Sequence, residues 1–192
     1  MVEEKTLFLI LAIVMVVVAM TAPILIYATR YKKVPPDKAM VVFGRQMPGG
    51  RGYVVVSGGG KFIIPIIESY EMLDLSAKVC DIELKGLTTG GGTLGERISI
   101  STSTTYKVSS EAASLNTAAE HLLHVPDEEI RKMVQGILEG HIRGMVAALT
   151  YDQIEHDRDE TARKIYTMAS MDLRNLGLEI RAFSIKGVQR LE

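Results

Sequence analysis

Between Leu7 and Tyr27 the chain runs LFLILAIVMVVVAMTAPILIY, 21 residues without a charge, of which only Thr21 and Pro23 are not apolar. As a helix this stretch is about 31 Å long, close to the roughly 30 Å of hydrocarbon in a bilayer. A single crossing anchored by residues such as Leu7, Ile10, Val14, Val18, Ile24 and Tyr27 accounts for it. Pro23 lies about one turn from the end, so the carbonyl it orphans is either rescued locally or the span kinks there. A cleaved signal peptide has a basic start, a shorter apolar run and a small-residue cleavage site. This chain begins Glu3, Glu4, Lys5, and its apolar run is too long. The basic residues follow the span as Arg30, Lys32 and Lys33, which by the positive-inside rule keeps the C-terminal side in the cytoplasm at the cell membrane. A shallow re-entrant insertion is the alternative to a crossing. Three cations fall short of the roughly four to eight of a dedicated anionic-lipid site, so they read as a topology signal.

The whole chain has 192 residues and a net charge of −1, enough for one domain and an appendage and with no electrostatic case for nucleic acid. Residues 1–33 hold four basic and two acidic side chains, leaving a body of net charge −3. One cysteine, Cys80, cannot form an intramolecular disulfide, and with four scattered histidines there is no zinc framework.

From Val34 to Val108 short apolar runs broken by glycine and proline predict antiparallel strands over Ala39 to Gly44, Tyr53 to Ser57, Lys61 to Pro65 and Ser69 to Leu75. Arg97 to Val108 alternates without a break, with Ile98, Ile100, Thr102, Thr104, Tyr106 and Val108 on one face. The run from Ala77 to Leu84 puts Cys80, Ile82 and Leu84 together, and Gly90, Gly91 and Gly92 supply a turn to make a long hairpin. Cys80 then reads as a small buried hydrophobe rather than a reactive thiol.

After Ser109 the period changes from two to 3.6. Ser110 is a candidate N-cap for a helix through Leu122, and Pro126 sits at the first turn of a longer one. There Ile130, Met133, Val134, Ile137, Leu138, Ile142, Met145, Val146 and Leu149 form one apolar stripe. Thr150 and Gln153 make a capping box for a helix continuing to about Arg174 and stopping at Gly177, and Leu178 to Ile185 reads as a last strand. The class is α+β, an antiparallel sheet with helices packed on one face.

Catalytic signals are missing. Gly58, Gly59, Gly60 and Lys61 suggest a phosphate loop, but Phe62 stands where magnesium needs a hydroxyl. His121, His124, His141 and His156 lack ligand spacing. No catalytic residue, cofactor or metal ligand is expected.

Four stretches carry a resemblance: VPPDKAMVVFGR at Val34 to Arg45, GGGKFIIPIIESYEMLDLS at Gly58 to Ser76, EGHIRGMVAALTYDQIEHDRD at Glu139 to Asp159, and GLEIRAFSIKGV at Gly177 to Val188. On these the chain resembles the band 7 or SPFH superfamily, the flotillins most closely. The division implied is an anchor over 1–33, an SPFH domain over 34–188 and a tail or artificial end over 189–192. The resemblance implies a non-enzymatic membrane scaffold that organises lipid microdomains by homo-oligomerisation, with an NfeD-like membrane protein as a partner of bacterial relatives. An accessory subunit that regulates a membrane protease or transporter is the alternative. Flotillins continue into a long Ala/Glu-rich coiled coil, whereas only six residues follow Lys186, so the chain is either a natural short form or a truncated one.

Two features stand apart from the family. Gly136, Gly140 and Gly144 recur on the long helix about 130° from the centre of its apolar stripe, each costing about 0.8 to 1 kcal/mol relative to alanine. They read either as a ridge for a neighbouring protomer or as close packing within the chain. Phe62, Ile63, Ile64, Pro65, Ile66 and Ile67 are either a segment that dips into the membrane interface or a fully buried strand.

Overall fold

The computed structural model describes residues 2–44, 52–64, 66–90 and 95–191, without the side chains of residues 2–9 and 26. It comprises two units, Met1–Glu71 and Met72–Glu192.

The first unit opens with α1 (Val2–Arg30), an unbroken helix that carries Pro23 inside it. The chain passes directly into β1 (Tyr31–Lys33), then β2 (Lys38–Phe43), β3 (Tyr53–Ser57), β4 (Gly60–Phe62) and β5 (Ser69–Asp74), the last crossing into the second unit. β2 pairs antiparallel with β3, from Ala39 opposite Ser57 to Phe43 opposite Tyr53, in a three-strand order β3-β2-β5. Ala39, Met40, Val41 and Val42 are all buried, so β2 is covered on both faces. β1 and β4 form a separate two-stranded ribbon. The strand expected over Lys61 to Pro65 is shorter than its apolar run, and Pro65 lies outside the described residues. β4 ends at Phe62 because its partner has only three residues, beyond which the backbone is helical at Arg30.

In the second unit β6 (Lys78–Thr88), β7 (Arg97–Val108) and β8 (Leu178–Arg190) form an antiparallel sheet in the order β6-β7-β8. The alternation along β7 buries Ile98, Ile100, Thr102, Thr104, Tyr106 and Val108 on one face. The register lines up Cys80, Thr104 and Phe183, then Ile82, Thr102 and Ile185. Cys80 is buried, and burial pushes its thiol above its ordinary range. β6 runs past Leu84 because a bulge between Leu84 and Leu87 restores its pairing. β8 continues past Ile185 by the same device, with irregularities opposite Ser101/Thr102 and Thr105/Tyr106. The turn expected at Gly90 to Gly92 lies largely outside the described residues, while the Gly90 N–H donates to the Val146 carbonyl at 3.2 Å.

The helices are α2 (Ala112–Leu122), α3 (Asp127–Ala148), α4 (Tyr151–His156) and α5 (Arg158–Arg174). Ser110 does not cap α2. Its hydroxyl accepts a bond from the Lys107 ammonium at 3.0 Å, and the helix starts two residues later with Glu111 at the N-cap. Pro126 is the N-cap of α3, one position before the first turn. The Thr150–Gln153 capping box forms, but α4 ends after six residues because Asp157 leaves helical geometry at φ −113° and ψ 46°. The single helix expected to Arg174 is therefore two. Ile130, Val134, Leu138, Ile142 and Val146 of α3 and Ala162, Ile165, Ala169 and Leu173 of α5 are buried. Gly177 closes α5 at φ +78°, and a Cβ there would lie 2.5 Å from the Ala118 nitrogen and the Ser114 carbonyl oxygen. Glycine alone satisfies both the backbone and the close approach of α2.

Candidate membrane-facing site

In α1 the side chains of Ile10, Val14, Val18, Ile24 and Tyr27 are exposed, and among the described residues none of the apolar span Ile10–Arg30 is buried. The side chain of Leu7 lies outside the described residues. An apolar surface of this extent has no place in water. The polar groups in the span are turned back on the helix: the Thr21 hydroxyl donates to the Val17 carbonyl at 2.8 Å, and the Thr29 hydroxyl donates to Leu25 at 2.9 Å. Such internal satisfaction is what a lipid environment demands.

The foot of the helix is aromatic. The ring of Tyr27 stacks on Tyr31 at 5.7 Å and on Phe62 at 6.0 Å. Tyr31 and Phe62 face each other across the β1–β4 ribbon. Gly60 lets the Tyr31 ring lie on the ribbon, since a Cβ there would fall 2.7 Å from the Tyr31 Cζ. Aromatic rings with one wet and one apolar end gather at the membrane–water boundary.

Beyond Phe62 the Ile63 N–H donates to the Arg30 carbonyl at 3.1 Å, a bond between the residue after β4 and the last helical residue of α1. The chain then turns sharply, with the Ile67 and Glu68 N–H groups both donating to the Ile64 carbonyl at 3.1 and 2.8 Å. Glu68, only 7% exposed, accepts the Ile64 N–H at 3.1 Å and lies 3.9 Å from the Lys61 ammonium. At the tip Ile66 is 91% exposed, flanked by exposed Ile64 and Ile67 and followed back to exposed Phe62. Ile63 alone of the described run turns inward. A buried strand does not form here.

Of the topology-flank residues, Arg30 ends α1 and Lys32 and Lys33 lie in β1. The ribbon sets Lys32 directly opposite Lys61, the residue with which sequence reading opens the strand over Lys61 to Pro65. A three-residue strand has no periodicity to announce this pairing.

In the second unit each ridge glycine follows a buried residue by two positions: Val134 and Gly136, Leu138 and Gly140, Ile142 and Gly144. Two positions are about 200° around a helix, so the glycines lie opposite the core rather than about 130° from it. Met133, Ile137 and Met145 are only half-buried, which narrows the core stripe and shifts its centre. A Cβ on any of the three glycines would meet nothing within 4 Å, so no described part of the chain packs on them.

Elsewhere His141 pairs with Asp172 at 2.8 Å and His156 bonds the Asp152 carbonyl at 2.9 Å. A cleft of about 110 Å³ beside Tyr106 and Leu122, with Lys78 at its edge, is too small for a metabolite.

The SPFH domain / Band 7 family model matches residues 32–190. Flotillin-like protein FloT of Bacillus subtilis (strain 168) is 27% identical over 192 residues, taking in 96% of this chain and 37% of its own. Flotillin-1 of Homo sapiens is 28% identical over 156 residues, 80% of this chain and 35% of its own. Flotillin-2 of Carassius auratus is 31% identical over 155 residues, 81% and 35% respectively. The chain thus spans little more than a third of the length of these relatives.

Proposed function

The chain belongs to the SPFH domain / Band 7 family, and on that premise we propose that it is a membrane-anchored scaffold that self-associates to organise lipid and protein microdomains. A membrane scaffold class follows from the flotillin relatives; self-assembly, microdomain organisation and a cytoplasmic position are this proposal's own content. The observation that carries it is the continuity of α1, unburied among the described residues, with the aromatic ribbon and the Ile66 turn. Helix, rings and apolar tip together describe a chain that crosses a bilayer and rests its next segment on the interface. The positive flank Arg30, Lys32 and Lys33 supports a cytoplasmic position for the domain. The outward ridge of Gly136, Gly140 and Gly144 is the proposed contact between copies, because nothing among the described residues offsets its cost in helix propensity.

The test is the mass of the full chain in mild detergent by size exclusion with light scattering, with protease protection in sealed vesicles for sidedness. A discrete homo-oligomer well above 21.1 kDa, cleaved only from the cytoplasmic face, supports the proposal. A monomer, or a stoichiometric complex with a different membrane protein, overturns it; the latter is the signature of a regulatory subunit.

A further inference from the structure

We propose that the β1–β4 ribbon is a site for the phosphate of anionic phospholipid headgroups, an inference that rests on reading α1 as a membrane anchor. Along the sequence only Arg30, Lys32 and Lys33 cluster, and Lys61 is nearly thirty positions away. The antiparallel register brings Lys61 into line with Lys32, so these two cations meet across the ribbon at the foot of the helix, with Arg30 and Lys33 beside Lys32 along the chain. Directly paired residues on antiparallel strands have Cβ atoms about 4.5–5.5 Å apart, and like charges so placed repel. A ribbon of three pairs has little cohesion of its own to set against that repulsion. Among the described residues the compensating carboxylate is Glu68, and it is shared. One oxygen takes the Ile64 N–H and the other lies 3.9 Å from Lys61, with none reaching Lys32. Arg30, Lys32 and Lys33 form no ion pair among the described residues. An oxyanion between the two ammoniums turns their repulsion into attraction at both ends.

Its position names the source of the anion. Side chains alternate along a strand, so Tyr31 and Phe62 share one face of the ribbon and Lys32 and Lys61 the other. The aromatic face stacks on Tyr27 at the end of the apolar span, while the Ile66 turn adds an exposed apolar tip to the same unit. Rings at the carbonyl level and an isoleucine tip in the acyl boundary leave the ammoniums at the depth of the phosphates. Each lysine or arginine near an anionic surface contributes about a fivefold preference, so the facing pair Lys32 and Lys61 carries a measurable one.

The chain has no tryptophan, so Ile66→Trp gives a single emitter at the exposed tip. The full chain carrying it is reconstituted in phosphatidylcholine vesicles containing either brominated phosphatidylglycerol or brominated phosphatidylcholine. Quenching by the anionic lipid is expected at a several-fold lower mole fraction. Adding Lys32→Gln and Lys61→Gln should reduce that preference about fivefold or more, and Lys32→Arg with Lys61→Arg should restore it. Equal quenching by both lipids with the lysines intact, or an unchanged preference in the glutamine variant, overturns the headgroup site and leaves the membrane placement standing. No quenching by either lipid overturns the interfacial placement and this proposal with it. Inorganic phosphate that abolishes the preference at constant ionic strength, where chloride does not, assigns the site to free phosphate and overturns the lipid assignment.

Discussion

Replacing Gly136, Gly140 and Gly144 together by alanine should make the second unit more stable and the assembled protein less so. All three lie inside the 22-residue α3, away from its first and last turns, where glycine costs about 0.8 to 1 kcal/mol relative to alanine. Each new methyl projects into open space, so no overpacking term subtracts from the gain. Three such changes sum to about 2.5 to 3 kcal/mol. The second unit has 121 residues, and at about 2.1 cal/mol/K per residue its unfolding entropy is about 250 cal/mol/K. The melting midpoint should therefore rise by about 10 to 12 °C. Circular dichroism melts of the full chain in detergent, at two protein concentrations, separate this from assembly, which makes a midpoint concentration-dependent. A midpoint unchanged or lowered at the lower concentration would refute the reasoning, because it requires that this face of α3 be covered or strained. In the same sample the ridge reading predicts a drop in mass by light scattering, since three methyl groups hold two helix backbones apart. A higher midpoint with unchanged mass removes the ridge as a contact while leaving the helix arithmetic intact.

Other consequences follow from single sites. The hydroxyls of Thr102 and Thr104 are buried without a hydrogen-bond partner among the described residues, so Thr104→Val, which keeps the shape, should stabilise by about 1 kcal/mol in urea denaturation. Gly177→Ala forces a left-handed backbone on an L residue and sets its Cβ against the backbone of α2, and should cost about 2 kcal/mol or more in the same assay. Lys78 bridges Asp74 at 3.2 Å and Asp127 at 2.5 Å. Partial burial pushes the Asp74 carboxyl up, but hydrogen bonds from Ser76 and Lys78 outweigh it and hold the group below its ordinary 3.8. A carboxylate whose folded value is depressed adds stability above its unfolded value and loses it as pH falls through the folded one. Asp74→Asn should therefore flatten the acid limb of a urea-midpoint titration below about pH 4, by a small amount because the side chain is 37% exposed. An identical acid limb in both proteins would exclude the linkage.

Where the chain signals its structure locally, sequence reading reaches it. The twelve-residue alternation of β7 and the reciprocal bonds of Thr150 and Gln153 involve residues at most a strand or a turn apart. Ser110 misled because the helix begins one residue later than its hydroxyl suggests: Glu111 holds the N-cap position, and the Ser110 hydroxyl accepts from Lys107 instead. The break at Asp157 has no glycine or proline to mark it. The apolar anchor and the Ile66 segment were readable as candidates, yet the choice between a buried strand and an exposed turn depends on how long a partner β4 finds. That partner is three residues at the end of a helix, too short for any pattern. The opposition of Lys32 and Lys61 is therefore a property of the register alone.

The same junction bears on mechanics. A peptide linker between a membrane helix and the segment after it would act as a free joint. Here Arg30 closes the helix and Tyr31 opens the strand, with the Arg30 carbonyl held by the Ile63 N–H across the ribbon. Helix and ribbon are thus joined with no intervening linker and share a backbone hydrogen bond at the junction. A span longer than the local hydrocarbon tilts, and it tilts further as the bilayer thins. On the anchored reading, such a tilt is passed directly to the ribbon and its Ile66 tip. The thickness of the surrounding lipid is in this way converted into the attitude of a protein surface, with no ligand, switch or change of fold in between.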